Sequence, residues 1–126
     1  MTQNPSVLIV EDDQFLGLAY TQTFATSGFK VRLVTEGKAA FEAIKAERPE
    51  LIILDLVMPT LNGMEVLRML RSDPANASMK VIVATNVSST QDEEECKKLG
   101  VSAYLIKTNN SIHDILKIAQ QALDTE

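Results

Sequence analysis

The chain has 126 residues, 45% of them hydrophobic, and a formal net charge of −5. That is enough apolar material for one packed core, so a single domain over residues 1–126 is expected. The acidic balance argues against direct attraction to nucleic-acid phosphates or anionic lipid. No apolar run nears the roughly 18 residues that span a bilayer. The opening Met1, Thr2, Gln3, Asn4, Pro5 lacks the basic and apolar regions of a signal peptide. Cys96 has no partner, which excludes an internal disulfide framework and a cysteine-based zinc site. A cytoplasmic protein that binds neither membrane nor nucleic acid directly is expected.

The first element is the apolar run Val7, Leu8, Ile9, Val10, read as a strand that ends in Glu11, Asp12, Asp13. A helix follows, with Leu16, Tyr20 and Phe24 at spacing four, supported by Ala19 and stopped at Ser27, Gly28. Phe15 falls off that stripe and opens the helix beside the acidic turn, as an exposed docking residue would. Asp13 is read as a surface position at the helix start. Residues 31–34 form the second strand, and 38–47 the second helix, which presents Ala40, Phe41 and Ile44 before Arg48, Pro49 end it. The run Leu51, Ile52, Ile53, Leu54 has no polar alternation, which indicates a strand buried on both faces, as in a parallel sheet covered by helices. It closes in Asp55 and the turn Leu56, Val57, Met58, Pro59, Thr60, Leu61, Asn62, Gly63.

The third helix carries Val66, Leu67 and Leu70 on one face and stops at Asp73, Pro74. Strand four, 81–84, leads to Thr85. Helix four, about 89–99, carries the acidic run Asp92, Glu93, Glu94, Glu95, read as a solvated face, and ends at Gly100. Strand five, 103–106, leads to Lys107. The last helix sets Ile112, Ile115, Leu116, Ala119 and Leu123 on one stripe, with Ser111 placed to cap it. His113 is read there as a solvated polar residue.

Five alternations of strand and helix predict an α/β fold with right-handed crossovers and an open parallel sheet. In such sheets the ligand crevice lies outside the carboxyl ends of the strands. Glu11, Asp12, Asp55, Thr85 and Lys107 all fall at that edge. Carboxylates gathered in a partly desolvated cleft repel one another and call for a cation. Hard oxygen ligands of this kind suit Mg²⁺, which commonly bridges to a phosphate. Lys107 supplies a second cation, pairing with Asp55 or with phosphoryl oxygens, and Thr85 adds a hydroxyl. Together these groups make a site for phosphoryl transfer with Asp55 as nucleophile.

At these residues the chain resembles the receiver domain of two-component response regulators, essentially end to end. The acidic turn (Glu11, Asp12), Asp55 with Met58, Pro59 and Asn62, Gly63 behind it, Thr85 and Lys107 match that family's motif in order and spacing. The resemblance implies a (βα)₅ doubly wound, flavodoxin-like sheet of strand order 2-1-3-4-5. It implies that Asp55 accepts a phosphoryl group from a histidine kinase or histidine phosphotransfer protein. It further implies Mg²⁺ held by Asp12, by Glu11 through water, by Asp55 and by the Val57 carbonyl. Thr85 and Lys107 would bind the phosphoryl oxygens, and Tyr104 would be the switch aromatic coupled to Thr85. Such a module assists its own phosphorylation but does not turn over external substrates.

Four positions depart from the family pattern. Asn86 follows the switch threonine where a small residue is usual. Val57 and Val87 are apolar where the family influences water access, which implies slow loss of the phosphoryl group. Thr108 replaces proline after Lys107, so a trans bond is expected there. A phosphatase of the haloacid dehalogenase type needs a second Asp two residues after the nucleophile, where this chain has Val57. A flavodoxin-like binder would want a Ser/Thr/Gly loop where Glu11, Asp12, Asp13 stand. The remaining alternative is a degenerate receiver, a phosphorylation-independent interaction module, suggested by Asn86 and Thr108. With little chain beyond helix five, output is expected through the surface of helix four, strand five and helix five, toward a downstream protein target or a second copy.

Overall fold

The computed structural model describes residues 4–86 and 89–124. Five parallel strands, β1 (Ser6–Val10), β2 (Lys30–Val34), β3 (Leu51–Leu54), β4 (Lys80–Thr85) and β5 (Ala103–Ile106), form one sheet in the order β2-β1-β3-β4-β5. Helices α1 (Gln14–Thr26), α2 (Gly37–Ala46), α3 (Gly63–Ser72), α4 (Thr90–Lys98) and α5 (Ile112–Asp124) connect and follow them. This is the open parallel α/β sheet expected from the alternation of apolar runs and helix stripes, in the doubly wound (βα)₅ order that the family resemblance implies.

The period of two along each strand sorts the core into two layers. Val7, Ile9, Leu51, Ile53, Ile82 and Ala84 face α1 and α5, where Tyr20, Phe24, Ile115 and Ala119 are buried. Leu8, Val10, Ile52, Leu54, Val81 and Val83 face the other way, onto Ala40, Ile44, Val66, Leu67, Leu70 and Cys96 of α2, α3 and α4. Strand β3 lies between β1 and β4, so all four of its side chains are buried.

Several ends are set by local chemistry. Asp13 caps α1 through Oδ1, which accepts from the Leu16 N–H at 3.0 Å, and Gly28 takes a φ of +95° just beyond the helix. Asn62 caps α3 by accepting from the Glu65 N–H at 2.9 Å, and Ser89 caps α4. Ser111 and Asp114 exchange hydrogen bonds at the start of α5, at 3.1 and 2.9 Å, a reciprocal cap. Most element ends fall within a residue of expectation, and two of the differences bear on the site. Helix α2 begins at Gly37 rather than Lys38, and β4 extends through Thr85, which pairs in register with Ile106 instead of lying past the strand. No helix among the described residues is long and apolar enough to cross a membrane.

Candidate functional site

Parallel register puts the chemistry in one place. Val10 aligns with Leu54 and Leu54 with Val83, while Thr85 aligns with Ile106, so Glu11, Asp55, Thr85 and Lys107 all come to the carboxyl edge of the four strands β1, β3, β4 and β5. The ladder continues into the site, with the Asp55 N–H donating to Val10 O at 3.1 Å and the Glu11 N–H to Val34 O at 3.0 Å. Main-chain pairing therefore fixes the backbone that carries both carboxylates.

Lys107 opens a 3₁₀ turn (Lys107–Asn109) and sends its ammonium across β4 to the acids. Its Nζ donates to Asp55 Oδ2 at 2.7 Å and to Glu11 Oε1. The other Asp55 oxygen, Oδ1, accepts from the Val57 N–H at 3.1 Å, and Glu11 Oε2 accepts from the Asp13 N–H at 3.1 Å. The side chains of Lys107, Glu11 and Asp55 are 10%, 3% and 8% exposed, so the triad is buried. Asp12 is exposed at its rim. Thr85, on β4, is fully buried beside this edge.

Burial pushes the Glu11 carboxyl above its ordinary value, with the Lys107 hydrogen bond and the Asp13 N–H pulling the other way. Burial also disfavours the charged Lys107, but its bonds to Asp55 and Glu11 outweigh that, and the ammonium titrates above its ordinary value. One lysine does not balance the group. Carboxylate oxygens of Glu11, Asp12 and Asp55 lie within 4.8 Å of one another. Like charges about 4 Å apart cost about 4 kcal/mol per pair at an effective dielectric near 20. Three hard oxygen donors with a net charge near −2 after Lys107 fit a small divalent cation such as Mg²⁺.

Gly63 shows why its motif position is glycine: a Cβ there would lie 2.2 Å from the Asp55 carbonyl oxygen and 2.6 Å from Leu56 Cα. Its N–H donates to Leu56 O at 2.8 Å, folding α3 back onto the loop. Val57 is 57% exposed at the mouth of the site, and Phe15, at 90%, is the most exposed of the large hydrophobic side chains described. Asn86 is exposed, and Val87 lies outside the described residues. No peptide bond among the described residues is cis, that of Lys107 and Thr108 included.

Tyr104 on β5 is half-buried and packs toward α4. Burial raises its phenol, as does charge from Cys96, Asp92 and Glu93, while a hydrogen bond with the Ser89 backbone pulls it down. Tyr20 and Gly37 have roles near the site that the sequence pattern does not convey. Tyr20, in sequence one member of an apolar stripe, is fully buried with its phenol raised by burial and by the charges of Glu11 and Asp55. Gly37 abuts the loop behind Asp55, where a Cβ would lie 1.8 Å from Leu61 O. The presence of tyrosine in an otherwise apolar stripe was a usable signal for the first. Nothing local to Gly37 signalled the second.

A doubly wound α/β protein with a buried lysine bridging two carboxylates at the carboxyl edge of its sheet is thus defined. Comparison with known families matches residues 7–120 to the response regulator receiver domain. The polar-differentiation response regulator DivK of Brucella anthropi is 30% identical over 102 residues, covering 81% of this chain and 83% of that one. The DNA-binding response regulator MtrA of Mycobacterium tuberculosis is also 30% identical, over 84% of this chain but 45% of its own length. This chain therefore spans about half the length of such mycobacterial relatives. A CheY-like receiver domain protein from Methanospirillum hungatei superposes with a TM-score of 0.89 at 24% identity, over 96% of this chain and 94% of that one, a likeness of fold. The chain belongs to the response regulator receiver domain family.

Proposed function

We propose that residues 1–126 form one receiver domain that accepts a phosphoryl group on Asp55 and signals through contacts made by α4, β5 and α5. The observation that carries this is the Lys107 ammonium held between Asp55 and Glu11 at the sheet edge. In the reaction, an Asp55 oxygen attacks the phosphorus of a phosphohistidine on a histidine kinase or phosphotransfer protein. An O–P bond forms, the P–N bond breaks, and the imidazole leaves with the electron pair. Lys107 then moves its hydrogen bond from the carboxylate to a phosphoryl oxygen, and the Thr85 hydroxyl donates to another. Mg²⁺, when bound, supplies the charge neutralisation that lets a donor phosphoryl group, Asp55 and the other acids share one space.

Asp12, exposed at the rim, would hold the metal directly together with Asp55 and the Val57 carbonyl. Glu11, already engaged at both oxygens, would act through water. Phosphorylation adds about −1.5 to −2 of charge, and drawing Thr85 toward it is the displacement that Tyr104 would follow on the neighbouring strand. The chain is in this reading a cytoplasmic phosphoacceptor and not a turnover enzyme on external substrates, with a kinase or phosphotransfer protein upstream and a protein target or second copy downstream.

Incubation with acetyl phosphate and Mg²⁺, followed by intact-mass measurement, is expected to add one phosphoryl group to the wild type and none to Asp55→Asn. Wild-type protein without added mass would favour a phosphorylation-independent module instead. Followed in time, the adduct is expected to persist beyond a few minutes, because the apolar Val57 at the mouth cannot orient an attacking water.

A further inference from the structure

The loop that follows Asp55 is held by an element outside the acidic site. Thr60 has a φ of 65°, a left-handed conformation that a β-branched residue adopts only when its surroundings impose it. The Leu61 N–H donates to Pro59 O at 2.8 Å, closing a three-residue turn centred on Thr60. The partners that hold this turn come from the start of α2. The Lys38 N–H donates to Thr60 Oγ1 at 3.3 Å, and the Gly37 N–H donates to Pro59 O at 3.3 Å. A helix leaves its first amides without partners of its own, and the N-cap residue of α2, Glu36, makes no side-chain cap. The loop therefore caps α2 while α2 pins the loop.

The approach is close enough to constrain residue type. A Cβ on Gly37 would lie 1.8 Å from Leu61 O, 2.7 Å from Leu61 C and 2.9 Å from Leu61 Cβ. The loop is tied at three points: Val57 N–H to Asp55 Oδ1, Gly63 N–H to Leu56 O, and the α2 contact between them. Only the last uses a side chain away from the acidic cluster, the Thr60 hydroxyl, beside the backbone bond from Gly37 to Pro59.

We propose that Thr60 is a positioning residue for the phosphoacceptor site, its hydroxyl clamping the Asp55 loop to the first turn of α2 and so fixing the backbone that brings Val57 to Asp55 and the cation. This rests on the phosphoacceptor reading above. Thr60 touches no reacting atom, so its effect passes through the loop. Valine has the same shape and the same aversion to positive φ but no acceptor, so Thr60→Val removes the Lys38 tie and leaves the strained turn held to α2 by the Gly37 N–H alone. Thr60→Ser keeps the anchor.

The test measures Mg²⁺ affinity by calorimetry on the full chain, the rate of phosphorylation by acetyl phosphate, and thermal unfolding in EDTA. Thr60→Val is expected to weaken Mg²⁺ binding and slow phosphorylation, each roughly fivefold, the size of one hydrogen bond. Thr60→Ser is expected to restore both to within about twofold, and Gly37→Ala to move both in the direction of the valine variant. A merely structural threonine would instead lower the unfolding midpoint in EDTA and leave Mg²⁺ affinity alone, which would overturn the proposal. So would a serine variant as impaired as the valine one, or a valine variant with wild-type affinity and rate. If Gly37→Ala does not fold, the valine and serine pair still decides. Wild-type protein that takes up neither Mg²⁺ nor a phosphoryl group would overturn the phosphoacceptor reading itself, a result distinct from an active wild type with an unaffected Thr60→Val.

Discussion

Lys107 stands between two carboxylates that would otherwise face each other in a buried space, and its stem threads past the end of β4 to reach them. Removing one partner of a buried ionic group leaves an uncompensated charge, at a cost of roughly 3–5 kcal/mol. Lys107→Met is therefore expected to lower stability by about 3 kcal/mol in EDTA, read by urea unfolding. Adding Asp55→Asn to that variant removes one stranded carboxylate and is expected to recover part of the loss, giving a coupling in the double-mutant cycle. A Lys107→Met protein as stable as wild type would show that Glu11 and Asp55 do not need it. At this scale Glu11, Asp55 and Lys107 were legible because each follows an apolar run. Tyr20, Gly37 and Thr60 were not, because their roles come from packing across elements with no pattern along the chain. Thr60 is an ordinary residue in a turn until its φ and the Lys38 N–H are seen.

Helices α3 and α4 illustrate what the period of 3.6 conveys and what it omits. The apolar face of α3 was plain from Val66, Leu67 and Leu70, all fully buried. Helix α4 is short and nearly all polar, so its pattern says little about its seat. Two arginines of α3 help fix it. Arg68 forms a paired bond with Glu95 at 2.5 and 2.8 Å, an exposed bridge that solvent screens and that adds little to stability. Arg71 donates to Leu99 O at 2.5 Å and to Gly100 O at 3.4 Å, satisfying carbonyls at the end of α4. Beneath them Cys96 is buried, with its Sγ 3.6 Å from Met64 Sδ. Burial, with the charges of Asp92 and Glu95, pushes its thiol from 9.0 up to about 11. The unfolded thiol thus ionises first, and the unfolded chain binds fewer protons across that window, so this contribution to stability is complete below about 9 and falls as pH rises toward 11. The loss is expected to reach about 3 kcal/mol at most. Comparing urea midpoints of wild type and Cys96→Ala below and above the window checks it: the gap between them should narrow with pH, and an unchanged gap would show that Cys96 carries no such linkage.

For the molecule as a whole, the sheet separates its two tasks. Apolar residues on both faces hold the fold together, while the carboxyl edge collects acids that the core does not need and that repel one another. The order β2-β1-β3-β4-β5 makes this possible by setting β1 and β3 side by side, so that Glu11 and Asp55 meet although 44 positions separate them in the chain. Relief of that repulsion should appear as global stability, because a ligand bound only by the folded state stabilises it by mass action. At Mg²⁺ about a hundredfold above its dissociation constant the gain is about 2.7 kcal/mol, a rise in thermal midpoint on the order of 5–10 °C for a domain of this size. The net charge of −5 means that any cation will screen the protein to some extent, so NaCl at matched ionic strength is the necessary comparison and is expected to give a much smaller shift. Asp12→Asn provides the sharper one. Because Asp12 is exposed, the substitution should leave the midpoint in EDTA near that of wild type or slightly above it, yet remove most of the Mg²⁺-dependent rise. A variant that keeps the full rise would take Asp12 out of the metal site, and a wild type that responds equally to Mg²⁺ and NaCl would reduce the acidic edge to an electrostatic patch.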